Sequence, residues 1–397
     1  MSRAARTAPR APEAPLAAPG RPFARPPADT ARADAARADT ARADTARADT
    51  ARADTARADA VLARCRELTH PALVDAVGQL DPWTGRMAAY ALGWRDAGGA
   101  PDPTGSGGKG LRQALAVLSA EAAGADGATA LPAAVAVELV HTFSLLHDDI
   151  MDGDPLRRRR PAVWRAYGVG PAVLAGDALH ALAVQTLAEA PGERAPAAVR
   201  HLSRSLTALV RGQADDLRFE ELPWTGPDAP GLAAYRAMAE QKTGALLGCA
   251  AALGAELGGA PGATVTALDR AGRHLGVAFQ AVDDLLGIWG DPALTGKPVH
   301  SDLRQRKKTH PVLAALAGAG PARRELAALL GSAEPLEGPR AAYAASLVDE
   351  AGGRAATRAE ASTHLEAART CLAATRPAPA AARDLDALVG SLLDRAW

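Results

Sequence analysis

Leu145-Leu146-His147-Asp148-Asp149-Ile150-Met151-Asp152 places three carboxylates within five residues, behind a strongly apolar run. Acids this close repel one another unless something positive sits among them. On a helix, Asp148 and Asp152 are four apart and share a face, with Asp149 beside them. Such a cluster at the end of an apolar helix suits a hard divalent cation, Mg2+ first. Alone, the stretch reads equally well as a solvated acidic helix end. A second cluster far along the chain, Asp283-Asp284 with Asp291 behind it, moves the reading toward a two-part metal site.

The composition around this stretch is helical. The 397 residues carry 45 basic and 45 acidic side chains, which gives no global case for nucleic-acid binding. Aromatics are 4% of the chain. Helical spacing recurs over long segments and no alternating strand run stands out, so the expected class is all-α, a bundle of ten or more helices. Cys65, Cys249 and Cys371 are scattered without a CxxC pair and read as small buried hydrophobes in a reducing compartment. No uninterrupted apolar run is long enough for a transmembrane helix and the N-terminus has no signal-type apolar core, so the expectation is cytoplasmic.

Two regions are expected. Residues 1–56 form a low-complexity arm, Pro/Ala/Arg-rich at first and then repeating Ala-Arg-Ala-Asp at a period of five. That period fits neither a helix face nor a strand, so the arm should be disordered or a solvated, fraying helix. It reads as a tether or a docking segment for a protein partner or shell; a repeat expansion without consequence is the rival. The packed domain is expected over 57–397. Val61, Leu62, Cys65 and Leu68 should share a first helix ended by His70-Pro71, followed by a second from about Ala72 and a third carrying Met87, Tyr90 and Trp94.

Further along lie the pieces that carry charge. A glycine-rich loop holding Lys109 and Arg112 runs into a helix over 111–123, an arrangement suited to an anion although its spacing is not that of a P-loop. His141 precedes Asp148 by two turns, about 10 Å along the axis. Arg157-Arg158-Arg159-Arg160 follows the acids and reads either as a solvated run or as a cover for metal-bound phosphate oxygens. Lys242-Thr243-Gly244, Phe279-Gln280, Lys297 and Lys307 complete the set, and residues 311–397 read as amphipathic helices without a chemical motif. Two acidic clusters and this many cations suit two anionic substrates, one on metals and one on basic side chains, each with a hydrophobic tail.

In this order the motifs resemble the trans-isoprenyl diphosphate synthase (polyprenyl synthetase) family over roughly residues 60–395. The residues that carry the resemblance are Gly-Gly-Lys109 with Arg112, His141 seven before Asp148, Asp148-Asp149-xx-Asp152, Arg157-Arg158, Lys242-Thr243, Phe279-Gln280-xx-Asp283-Asp284, Gly296-Lys297-Pro298, and Asp302-Leu-Arg with Lys307. The resemblance implies an isoprenoid-synthase-type bundle around a central apolar cavity, a homodimer, and three Mg2+ per active site held by Asp148, Asp152 and Asp283, with Asp149 and Asp284 supporting. It implies that Arg157, Lys242, Lys297 and Lys307 contact an allylic diphosphate, that Lys109, Arg112, His141 and Arg158 bind isopentenyl diphosphate, and that Thr243 and Gln280 face the carbocation.

Three positions depart from the family pattern: Gly110 for a common Arg, Arg159 for a common Gly, and Gly287 for the third acid of the second cluster. Phe143 and Ser144 stand below the first cluster, where the resemblance puts control of product length; they favour a C20 product, with C15 next. A class I terpene cyclase and a non-catalytic partner subunit are the alternative readings. The paired Asp283-Asp284 speaks against the first and the retention of both acidic clusters against the second.

Overall fold

The structure, a computed structural model, describes residues 28–102, 108, 110–295 and 298–393, with side chains from 53 onward except at 294–295 and 392–393. Lys109, Gly296, Lys297 and the proline-rich residues 1–27 lie outside the described residues. The chain divides into two compact units, Met1–Thr50 and Ala51–Trp397.

The helices run in order α1 Ala28–Val77, α2 Pro82–Ala91, α3 Leu111–Ala122, α4 Leu131–Met151, α5 Val163–Tyr167, α6 Val169–Ala188, α7 Ala195–Glu221, α8 Leu232–Ala239, α9 Ala245–Leu257 and α10 Gly262–Trp289. After them come α11 Pro292–Thr295, α12 Ser301–Arg304, α13 His310–Ala317, α14 Pro321–Gly331, α15 Pro339–Glu350, α16 Gly353–Ala374 and α17 Pro379–Leu393. A hairpin of two very short strands, β1 Leu156–Arg157 and β2 Arg160–Pro161, interrupts the helices. The class is all-α, as the composition predicts.

Within the second unit, α10 packs between α9 and α16, while α4 packs on α3 and α6. One apolar core joins the end of α1 to α2, α3, α4, α6, α7, α9, α10 and α16, and a smaller core gathers the end of α10 with α13, α14 and α15. The stretch Gly127–Met151 is long and apolar enough by composition to cross a membrane, but 67% of its most apolar window is buried against the rest of the protein, as expected of a core helix.

The proline stop expected at His70-Pro71 does not occur. α1 continues through Pro71 to Val77, so no separate helix starts at Ala72. An interior proline costs about 3 kcal/mol. Leu73, Ala76 and Val77 are buried beyond it, and burying one Leu or Val returns about 1.5–3 kcal/mol. The third expected helix ends at Ala91, before Trp94: Gly93 turns left-handed at φ 79° and the Trp94 N–H donates to the Ala89 carbonyl at 2.9 Å, a glycine C-cap. α10 begins at Gly262, thirteen residues before the expected Leu275, because Val265, Leu268 and Ala271 extend its buried stripe.

The run from α8 to α9 is not a plain α-helix. Glu240–Gly244 is wound as a π-turn, and it carries Lys242 and Thr243. Close approaches clamp it on both sides. A Cβ on Gly212 of α7 would stand 2.2 Å from the Lys242 nitrogen, and one on Gly276 of α10 would stand 2.2 Å from the Gly244 Cα. Only hydrogen side chains let both helices come this near the widened turn, a form that often marks functional sites. Gly276→Ala is expected to lower stability by about 1–3 kcal/mol through overpacking, read as an earlier urea midpoint with an unchanged slope.

Candidate active site

α4 presents its acids at its C-terminal end, and the two members of the first pair part company. Asp148 turns toward Lys242 at 22% side-chain exposure, while Asp149 is 3% exposed and lines a cavity beside Arg157 and Arg158. Asp149 accepts from Arg157 Nε at 2.8 Å and from a second guanidinium nitrogen of the same residue. The second pair divides the same way on α10. Asp283 is exposed and Asp284 is 3% exposed. Asp284 accepts from the Tyr235 hydroxyl, from Gln280 Nε2 at 3.0 Å and from the His310 backbone N–H at 2.8 Å. Adjacent residues on a helix lie about 100° apart around the axis, so the two members of each pair meet different neighbours.

Two lysines join the clusters. Lys242, from the π-turn, lies 2.5 Å from Asp216 and 3.8 Å from Asp148. Lys307, which follows α12, donates to Asp152 at 3.0 Å. Burial opposes both ammonium charges, yet the facing carboxylates raise both lysines above their ordinary values, Asp216 first for Lys242 and Asp152 first for Lys307. Burial also raises the Asp148 carboxyl, against Lys242 and with help from Asp152. Asp148, Asp152 and Asp216 thus face two ammonium groups, and the balance is negative before exposed Asp283 is added.

A surplus of hard oxygen donors, with Asp148 desolvated and crowded by like charges, fits a divalent cation. Among the described residues, no group of three acids, histidines or cysteines is arranged to hold a metal ion by itself. Mg2+ needs no such cage: it uses one or two carboxylates and completes its octahedron with water and substrate phosphate.

Two to three turns to the N-terminal side, the balance reverses. Buried Glu138 lies among Arg112, Arg158 and Gln113, and burial raises its carboxyl against the pull of both arginines. His141 is driven well below its ordinary value, by burial first and then by Arg112, Arg158 and Arg157, so it is a neutral imidazole with one N–H to donate. Two guanidinium groups against one carboxylate leave a positive surplus. A cavity opens here, lined by Arg66, Tyr90, Gln113, Glu138, Arg157 and Arg158. Gly110, the first departure, caps α3 at φ 71°, a left-handed conformation that glycine adopts without penalty.

The four-arginine run is split by the hairpin rather than acting as one cover. Leu156 pairs with Pro161 and Arg157 with Arg160, so Arg158 and Arg159 are the two turn residues, at φ 52° and 65°. A two-residue turn with both residues left-handed normally takes Asn or Gly. Holding arginines there costs on the order of 1–3 kcal/mol each, and this is the physical content of Arg159 standing where the family often has Gly. Arg159 reaches the Ala293 carbonyl. Arg160 also lines the cavity, donating to the Arg95 carbonyl at 2.6 Å and lying 4.2 Å from the centre of the Tyr90 ring. Arg157, Arg158 and Arg160 thus reach the cavity, and Arg159 does not line it.

Thr243 and Gln280 are linked. The Thr243 hydroxyl donates to Gln280 Oε1 at 2.8 Å, and the Gln280 amide donates on to Asp284. Below the first cluster, Phe143 stacks on His180 of α6, with ring centres 5.3 Å apart, and meets His147 edge-on at 5.0 Å. Ser144 Oγ donates to the His141 carbonyl at 2.9 Å. Asp291 accepts from the Ala293 N–H at 2.8 Å and belongs to the start of α11, because α10 has ended at Trp289.

Several residues of the site carry no obvious sequence signal. Asp216 is found only through Lys242, although Gly212-Gln213 just ahead of it marks the close approach. Tyr235 is one aromatic on a short helix. His310 lies at the start of the apparently featureless C-terminal stretch; its imidazole bonds Thr357 Oγ1 at 2.9 Å, with Glu360 at 4.0 Å.

The polyprenyl synthetase family profile matches residues 102–346. The chain is 47% identical over 309 residues to a (2E,6E)-farnesyl diphosphate synthase of Mycobacterium bovis, covering 77% of this chain and 84% of that one. It is 47% identical over 295 residues to a geranylgeranyl diphosphate synthase of Mycobacterium tuberculosis, covering 74% and 83%. A crystal structure of a polyprenyl synthetase from Streptomyces coelicolor A3(2) superposes with a TM-score of 0.78 at 45% identity, over 84% of this chain and 98% of that one. The chain belongs to the polyprenyl synthetase family.

Burial pushes the His310 imidazole down to about 4. An unfolded histidine takes its proton near about 6.5. Between those values the unfolded state holds the extra proton, so this group makes stability fall as pH drops from about 6.5 to 4 and adds no slope above. His310→Asn is therefore expected to flatten that limb of melting temperature against pH.

Proposed function

We propose that this polyprenyl synthetase joins isopentenyl diphosphate head-to-tail to an allylic diphosphate, giving a short-chain trans-prenyl diphosphate. The observation that carries the reading is the pair of oppositely charged subsites along α4, one negative around Asp148 and Asp152, the other positive around Arg112 and Arg158. Each suits one of two diphosphates, the first with metal and the second without.

Asp148, Asp152 and Asp283 would hold Mg2+, three ions per site, and bound Mg2+ neutralises the departing diphosphate as a Lewis acid. Lys242, Lys307, Arg157 and Lys297 stabilise the same leaving group as the allylic C–O bond breaks and its electron pair departs with the oxygen. Asp149 and Asp284 position Arg157 and Gln280 from behind. The Thr243 proton is committed to Gln280, so the lone pairs of its hydroxyl oxygen remain for the allylic cation. Lys109, Arg112, Arg158 and neutral His141 hold isopentenyl diphosphate, whose double-bond electrons form the new C–C bond; the proton then lost passes to the released diphosphate.

Phe143, backed by His180, forms the floor that sets the product at C20, with C15 next; Ser144 leaves room beside it. The enzyme acts as a homodimer, consistent with Val169, Val173 and Leu174 standing exposed on α6, and its three free cysteines suit a cytoplasmic location. Residues 1–56 serve as an arm for docking another protein or a shell, outside the chemistry.

Incubation with isopentenyl diphosphate, Mg2+ and dimethylallyl, geranyl or farnesyl diphosphate tests the reading, and no elongated product from any of the three primers would refute it. Asp148→Asn is expected to cut turnover about 100-fold or more while leaving the melting temperature unchanged or higher, because it removes a crowded buried charge. Phe143→Ala should lengthen the product, read by chromatography of the dephosphorylated alcohols. Deletion of residues 1–56 should leave turnover intact.

A further inference from the structure

α7 turns one side to the core, through Leu202, Leu206 and Leu209, and sends Asp216 to Lys242 in the active site. Its outer side carries Arg200, Arg204, Arg211 and Arg218, all exposed. The last three follow the first by 4, 11 and 18 residues. At about 100° per residue those steps return to within about 40° of one direction, so the four arginines form a line about 27 Å long on one helix face.

Arginines elsewhere on the surface are matched by acids: Arg57 by Asp384, Arg64 by Glu121, Arg236 by Glu360 and Arg369 by Asp386. Among the described residues, none of the four on α7 has a hydrogen bond or an ion pair. Arg200 and Arg204 are four apart, where like charges destabilise a helix. The other positions three or four residues from them hold Pro196, Ala197, His201, Ser203, Thr207 and Ala208, so α7 offers no acid to relieve the pair. Asp215 is within one turn of both Arg211 and Arg218 and bonds to neither. Val210, 57% exposed, adds an apolar side chain beside the line.

We propose that this face of α7 is a docking surface for an anionic lipid bilayer. Guanidinium groups that lack counter-charges and stand in a row attract a plane of phosphate headgroups, and Val210 gives the contact an apolar element. The chain's 45 basic and 45 acidic residues balance, so the attraction is local to this face, and no aromatic side chain stands on the line to stack on a base, which sets it apart from a nucleic-acid surface. Asp216 points to another side of the same helix, so a bilayer against the arginines leaves Lys242 and the acidic subsite uncovered. The choice of lipid rests on the proposed prenyl transfer, whose product carries an apolar tail and is then released beside the phase that dissolves it; the basic line is independent of that reading.

The test is co-sedimentation of the full chain with vesicles of phosphatidylcholine alone, or of equal parts phosphatidylcholine and phosphatidylglycerol, at about 0.1 M salt. The wild type is expected to bind the anionic vesicles, to ignore the neutral ones, and to be released at about 1 M salt. Arg204→Gln combined with Arg211→Gln should weaken that binding about tenfold or more, with unchanged melting temperature and unchanged turnover in the absence of vesicles. Residues 1–56 are the same in both proteins, so the difference reads α7 alone. Equal binding by the double variant, equal binding to neutral vesicles, or no binding by the wild type would each overturn the proposal. So would a wild type that binds a DNA duplex and not the vesicles. Failure to elongate any primer would instead remove the functional reading, and the vesicle comparison would still decide whether α7 meets an anionic bilayer.

Discussion

The structure depends on carboxylates that are crowded and desolvated, and on the two lysines that make this tolerable. Asp148, Asp152 and Asp216 would repel one another in a site that burial has already made costly for charge. Lys242 and Lys307 reach them from different parts of the chain, one from a π-turn and one from the loop after α12. Neither lysine can be moved independently. The π-turn is pinned between Gly212 and Gly276, and the loop is tied to the end of α10 at Ile288. Neutralising the acids thus commits α4, α7, α10 and α12 to one arrangement.

The division within each Asp-Asp pair follows from this. One acid of each pair, Asp148 or Asp283, keeps some exposure to solvent. Its neighbour, Asp149 or Asp284, is buried and spent on internal hydrogen bonds. Burial raises the Asp149 carboxyl against its ion pair with Arg157, and it pushes the Asp284 carboxyl up to about 7 despite the Tyr235 hydroxyl. Asp284 in turn connects the site to parts of the chain with no chemistry of their own. Through the backbone of His310 it is joined to Thr357 on α16, beyond the stretch the family profile matches.

Much of this was legible beforehand, and for physical reasons. Acids at i and i+4 and apolar residues at helical spacing report local geometry, so the all-α class and the order of motifs could be read directly. Where the reading failed, a distant partner had decided the outcome. Pro71 did not stop α1 because Leu73 and Val77 had a core to enter. The arginine run looked like a single patch, but a turn sends Arg160 to Tyr90 and leaves Arg157 at Asp149. Asp216, Tyr235 and His310 were missed because each gains its meaning only from a residue on another element, and spacing along one helix cannot reveal that.

The arginine hairpin has a consequence of parity. Side chains alternate between the two faces of a strand, and a turn of two residues fixes which residue stands opposite which. Arg157 is opposite Arg160, so both side chains leave the hairpin on the same face and both line the cavity, the first reaching Asp149 and the second lying over the Tyr90 ring. Adding or removing one residue between them would shift the count by one and send one of the two to the opposite face without altering a single arginine. In this segment the length of the turn carries as much information as the charges it displays.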